Sequence, residues 1–128
     1  MYRGIRNRKR LAAPPLSKVN TMNIYISLPI TGYDLEERRQ MAEAAQRILQ
    51  EKYREARVIS PFDIADHVEV MNPQADYSDY IKEDIALIID KVDMVCFLVN
   101  PRLTRSKGVR LEYHTAKIYG KKINRIRL

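Results

Sequence analysis

The chain has 128 residues, enough for one domain with a buried core, and its 45% apolar and 30% charged residues are the proportions of an ordinary globular protein. No run approaches the roughly 18 apolar residues of a membrane span, the first twenty residues lack the apolar centre of a secretory signal, and the single cysteine, Cys96, falls inside a hydrophobic run. The net charge of +7 is confined to the ends: six of the 23 basic residues stand in residues 1–20 and four in 121–128, which leaves thirteen against all sixteen acids between them.

These features point to a reducing, cytoplasmic setting with Cys96 as core filling. A mildly acidic body argues against nucleic acid as the partner. Residues 1–22, with Gly4, Pro14 and Pro15 and no sustained periodicity, read as a basic, disordered arm, either a solubilising tail or a contact for phosphate-bearing partners. The domain is then 23–128.

Asn23 to Leu28 reads as a first strand, closed by the turn Pro29-Ile30-Thr31-Gly32. Asp34 with Glu37 three residues later forms an aspartate capping box, and Leu35, Ala42, Ala45, Ile48 and Leu49 recur at helical spacing up to about Glu55. Arg57 to Ser60 is a short second strand stopped by Pro61, and Phe62 to Gln74 reads as a long connection. A helix over about 76–90 follows, with Tyr77, Ile81, Ile85 and Ile88 as its apolar stripe and Asp84 on that same stripe.

Met94 to Val99 is a continuous apolar run of strand type, and Pro101 to Lys107 is a loop. Ser106 caps the next helix, on which Val109, Tyr113 and Ala116 recur at i, i+4, i+7. Gly120 stops it before a last strand at Lys122 to Ile126. The order β-α-β-α-β-α-β predicts a four- to five-stranded parallel sheet with helices on both faces.

Glu112 lies beside the apolar face of its helix, just past the carboxyl end of a central strand, where open parallel sheets bind ligands. Asp84 is the second carboxylate on an inward helix edge. An unpaired buried carboxylate is destabilising as an ion or else raises its pKa. Either one alone could cap a loop or pair with Arg110 or Lys107; both together, beside a Ser106-Lys107-Gly108 turn, point to a site.

Paired carboxylates suit glycosidic bond chemistry, in which one attacks the anomeric carbon and the other handles the proton of the leaving group. Ser106, Gly108 and the amides that open the Glu112 helix could hold an anion or a sugar hydroxyl, and Pro29 to Gly32 could form the opposite wall. No GxGxxG or P-loop is present. His67 and His114 lack metal-ligand spacing with each other or with Cys96, so no metal site is expected, and His114 reads as a surface residue. Tyr25, on the first strand, is either core or a stacking surface.

The arrangement Ile24-Tyr25-Ile26 with a Pro/Gly loop, Asp84 in a helix, Asp93 opening a strand, and Ser106-x-Gly108-Val109-x-x-Glu112-Tyr113-x-x-Ala116 ending in Gly120-Lys121-Lys122-Ile123 resembles the nucleoside 2-deoxyribosyltransferase superfamily. Within it, the 2'-deoxynucleoside 5'-monophosphate N-hydrolase branch and a group of small deoxyribosyltransferase-like domains are the most similar, over roughly residues 23–123. The resemblance implies a flavodoxin-like three-layer sandwich, a homodimer or larger assembly, and no cofactor. It places the nucleophile on Glu112 and the acid/base on Asp84, with substrate contacts at Tyr25, Pro29, Gly32, Asp93, Ser106 and Gly108. Glu112 would attack C1' of a (deoxy)nucleoside or its 5'-monophosphate; water then gives hydrolysis and a second base gives transfer. A non-catalytic nucleotide-binding module of the same fold is the alternative.

Overall fold

A strand that alternates two buried surfaces needs cover on both sides, and the first strand of this protein has both. A computed structural model of the protein describes residues 21–29, 33–100 and 105–128. In β1 (Asn23–Ser27), Ile24 and Ile26 face one way and Tyr25 and Ser27 the other, and all four are buried. The strand is flanked by β2 (Arg57–Ile59) and β3 (Met94–Leu98), and β4 (Lys122–Ile126) lies beyond β3. The order is β2-β1-β3-β4, and every pair is parallel.

The helices are α1 (Leu35–Lys52), α2 (Pro61–Met71), α3 (Tyr77–Asp90) and α4 (Lys107–Ile118). On one face Ala42, Ala45 and Leu49 of α1 pack on Ile24, Ile26, Met94, Cys96 and Leu98. On the other, Ile88 of α3 and Val109 and Ala116 of α4 pack on Tyr25, Val95 and Phe97. This is a three-layer α/β sandwich with flavodoxin-like strand order. The chain leaves β1 for β2 on one side and returns past β1 to β3 on the other. The crevice at the carboxyl ends of β1 and β3 is therefore the topological switch point.

Two sequence expectations are corrected. The stretch 62–74 is largely a helix, α2, rather than a connection: Pro61 sits at its first position, where a missing N–H costs nothing, and Phe62, Ala65 and Val68 form its buried stripe. The Ser60 N–H donates to Asp63 Oδ2 at 2.9 Å and fixes its start. On α1, Leu35 and Ile48 face outward, and the inward position preceding Ala42 is taken by Arg38.

Both expected N-caps are made, although Glu37 turns its carboxylate to Arg38 and does not close the expected box with Asp34. Asp34 Oδ1 accepts from the Glu37 N–H at 2.9 Å, and Ser106 Oγ accepts from the Val109 N–H at 3.3 Å. Cys96 is fully buried, and desolvation pushes its thiol up to about 12. The end of α4 is a Schellman turn in which the Lys121 N–H donates to the Ala116 carbonyl at 2.9 Å and the Gly120 N–H to the Lys117 carbonyl at 3.2 Å. Gly120 has φ +68°, and a Cβ there would meet nothing within 4 Å. The effect of Gly120→Ala is thus purely conformational: urea unfolding should show a loss of about 1 kcal/mol with an unchanged m-value.

Candidate functional site

Alternation along β1 sends Tyr25 and Ser27 to the face covered by α3 and α4, and there both meet Glu112. The Ser27 hydroxyl donates to Glu112 Oε1 at 2.6 Å and the Tyr25 hydroxyl to Oε2 at 3.0 Å. Glu112 is only 4% exposed. Among the described residues no Lys or Arg forms an ion pair with it, and Arg110, the neighbour that might have neutralised it, is exposed. Among the described residues the donors that hold the carboxyl are neutral hydroxyls.

Asp84, on the inward side of α3, completes the group. Burial raises its pKa to about 6, hydrogen bonds with Glu112 and Tyr25 hold it back, and the charge of Glu83 adds to the rise. Burial also raises Glu112 well above the usual carboxylate range, and the charge of Asp84 pushes the same way against the stabilising bonds from Ser27 and Tyr25. In a dry site each carboxylate opposes the ionisation of the other, so both are held above their ordinary range. The Tyr25 hydroxyl, buried and facing both carboxyls, is raised well above 10 and stays a donor.

The two carboxyls open on a cavity of about 380 Å³ at the carboxyl edge of the sheet. Its walls come from Leu28 and Pro29 after β1, from Tyr33, from Pro61 and Ala65 of α2, from Tyr80 and Ile81 of α3, and from Ser106 to Val109 at the start of α4. The first amides of α4 have no intrahelical partner and can meet an anion or a sugar oxygen. Tyr80 is fixed by its hydroxyl, which donates to Glu69 Oε2 of α2 at 3.0 Å.

Of the residues expected from sequence, Glu112, Asp84, Pro29, Ser106 and Gly108 come together around this cavity. Tyr25 reaches the site from behind, touching Glu112 and not the cavity wall, so its position is that of a support. Asp93 is not brought there: its Oδ2 accepts from the Asn23 N–H at 2.8 Å, at the amino edge of the sheet, because it opens β3 instead of closing it. Gly32 lies outside the described residues. His67 and His114 are exposed on α2 and α4. Among the described residues no three His, Cys, Asp or Glu are grouped to hold a metal ion.

Ser27, Tyr33 and Tyr80 are additions. Ser27 shares the parity of Tyr25 on β1, and Tyr80 stands four residues before Asp84, so strand alternation and helical spacing both carried the signal.

A family model described as a domain of unknown function (DUF4406) matches residues 22–125, from the residue before β1 into β4, and the chain belongs to that family. Comparison with curated proteins found no match. No described helix is long and apolar enough to cross a membrane.

The burial of Asp84 has a thermodynamic consequence. Its folded pKa of about 6 exceeds the unfolded value of 3.8, so between these values the folded state binds more protons and stability falls as pH rises; the contribution is full below 3.8 and gone above about 6. Urea unfolding between about pH 4 and 7 should show wild type losing about 2 kcal/mol relative to Asp84→Asn. Parallel profiles would contradict the burial.

Proposed function

We propose that this DUF4406 member is an N-glycosidase or deoxyribosyltransferase that cleaves the N-glycosidic bond of a (deoxy)nucleoside or its 5'-monophosphate, with Glu112 as nucleophile. One observation carries the reading: a buried carboxyl without a cationic partner among the described residues feels the charge of a second carboxyl, and both open on a cavity at the switch point of the sheet. A fold retains such a destabilising group where chemistry uses it.

In this reading the singly protonated pair is the working state. The proton, which rests on the more strongly raised Glu112 in the free site, moves to Asp84 as substrate binds; Glu112, then ionised, accepts from Ser27 and Tyr25 and attacks C1', and Asp84 passes the proton to the departing base. The Glu112–C1' bond forms as the C1'–N bond breaks. Water or a second base then releases the sugar, with Asp84 now taking the incoming proton. The opening amides of α4 with Ser106 hold the 5'-phosphate or a sugar hydroxyl. No cofactor enters this scheme.

A homodimer in the cytoplasm belongs to the same proposal. Leu111 and Ile118 stand seven residues apart on α4, both exposed, and form an apolar stripe suited to a second copy.

The non-catalytic reading is favoured by one feature, that both Glu112 oxygens are already occupied by Tyr25 and Ser27. Base release, measured chromatographically on a panel of deoxynucleosides and their 5'-monophosphates, separates the two. Wild type should release base from at least one member, with an acid limb near pH 6 where the pair loses its first proton. Glu112→Gln should lower kcat by about 10³-fold or more while remaining folded, because the isosteric amide still offers hydrogen-bond partners to the buried Ser27 and Tyr25 hydroxyls. Binding without release from any member would establish the module reading.

A further inference from the structure

Among the described residues Arg38 is the largest side chain wholly withdrawn from solvent, only 1% exposed, and it occupies a costly place. It stands one turn into α1, near the helix end where the macrodipole opposes a cation, on the inward stripe with Ala42, Ala45 and Leu49. Among the described residues its compensation is thin. One Nη1 contact reaches the half-exposed Glu37 at 3.1 Å, another reaches the Met41 sulfur at 3.4 Å, and Nε has no hydrogen-bond partner. A buried guanidinium so weakly paired destabilises a fold unless the charge serves something else.

What the guanidinium covers is the ring of Tyr33, with Cζ 4.3 Å from the ring centroid. Tyr33 is 38% exposed and forms part of the cavity wall shared with Asp84 and Glu112. An aromatic ring held from one side and open on the other is a stacking surface for a planar group. The cation behind it also sets what that surface accepts. A tyrosine face ordinarily attracts cations through its quadrupole, but Arg38 already engages one face, and its positive potential works against a second cation on the other.

We propose that Tyr33, backed by Arg38, is the surface on which the base of the substrate stacks, and that it selects neutral bases over positively charged ones. The nature of the ligand rests on the glycosidase reading; the stacking does not require turnover. The carboxyl pair agrees with this choice. A base that is neutral in the nucleoside must gain a proton as it departs, whereas a pyridinium-type base leaves as a neutral molecule without one, so a protonated carboxyl serves only the first.

The test is calorimetric binding of three nucleosides at pH 7: 2'-deoxyadenosine, its neutral N6-methyl derivative, and its cationic N1-methyl isomer. Wild type should bind the two neutral compounds within about threefold of each other and the cation at least about tenfold more weakly. Tyr33→Leu, at an exposed position, should keep the fold, weaken the neutral compounds by about tenfold and narrow the gap. Arg38→Met, judged only where circular dichroism shows it folded, should narrow the gap by improving the cation. Equal affinities in wild type, affinities indifferent to Tyr33→Leu, or no binding of either neutral nucleoside would overturn the proposal. Normal base release with Tyr33-independent binding would remove the stacking surface and leave the glycosidase. Tyr33-dependent, neutral-selective binding without base release would do the reverse.

Discussion

Burying the Glu112 carboxyl is the constraint around which the rest of the site is arranged. A carboxylate in a dry interior must find a cation, find hydrogen-bond donors or take up a proton. Here the first is missing among the described residues, the second is met by Ser27 and Tyr25, and the third is favoured by burial and the charge of Asp84. Each of those partners is placed by a different element. The parity of β1 aims two hydroxyls at one helix, the cap at Ser106 sets the rotation of α4, and the inward stripe of α3 carries Asp84 to the same point.

The strand order then turns this cluster into a site. Because β1 and β3 are neighbours while the chain departs from them in opposite directions, their carboxyl ends leave a crevice that Tyr33 before α1 and the helices α2, α3 and α4 border but do not fill. The two faces contribute different chemistry. The side covered by α3 and α4 supplies two buried carboxyls that desolvation raises, and the segment before α1 supplies an aromatic ring backed by a buried cation. In the proposed reaction an acid pair alone would suit many substrates, and a ring beside it would narrow the choice to those with a planar group near the bond to be broken.

Much of this was legible in the sequence, for identifiable reasons. Glu112 could be found because Val109, Tyr113 and Ala116 define a helical face with period 3.6, and a charge beside that face is conspicuous. Asp84 stood out in the same way against Ile81, Ile85 and Ile88. Ser27 did not, because a serine inside a buried strand looks like neutral filling until its partner is known. The helix α2 was hidden by its prolines: Pro61 and Pro73 read as breakers, although the first is tolerated at a helix start. Arg38 was invisible because charge on a helix is ordinarily a solvated face, and only tertiary packing reveals that it points inward. Asp93 was misplaced by ignoring direction, since a residue that opens a parallel strand lies at the edge opposite the ligand site.

The account stands or falls on Glu112 forming a bond to the sugar. The most direct measurement is intact-mass spectrometry of the protein quenched in acid during turnover of a deoxynucleoside 5'-monophosphate, followed by peptide mapping. The account predicts an adduct with the mass of one dehydrated deoxyribose phosphate, located on the peptide that contains Glu112. Base release with no adduct, or with an adduct on any other residue, would contradict it.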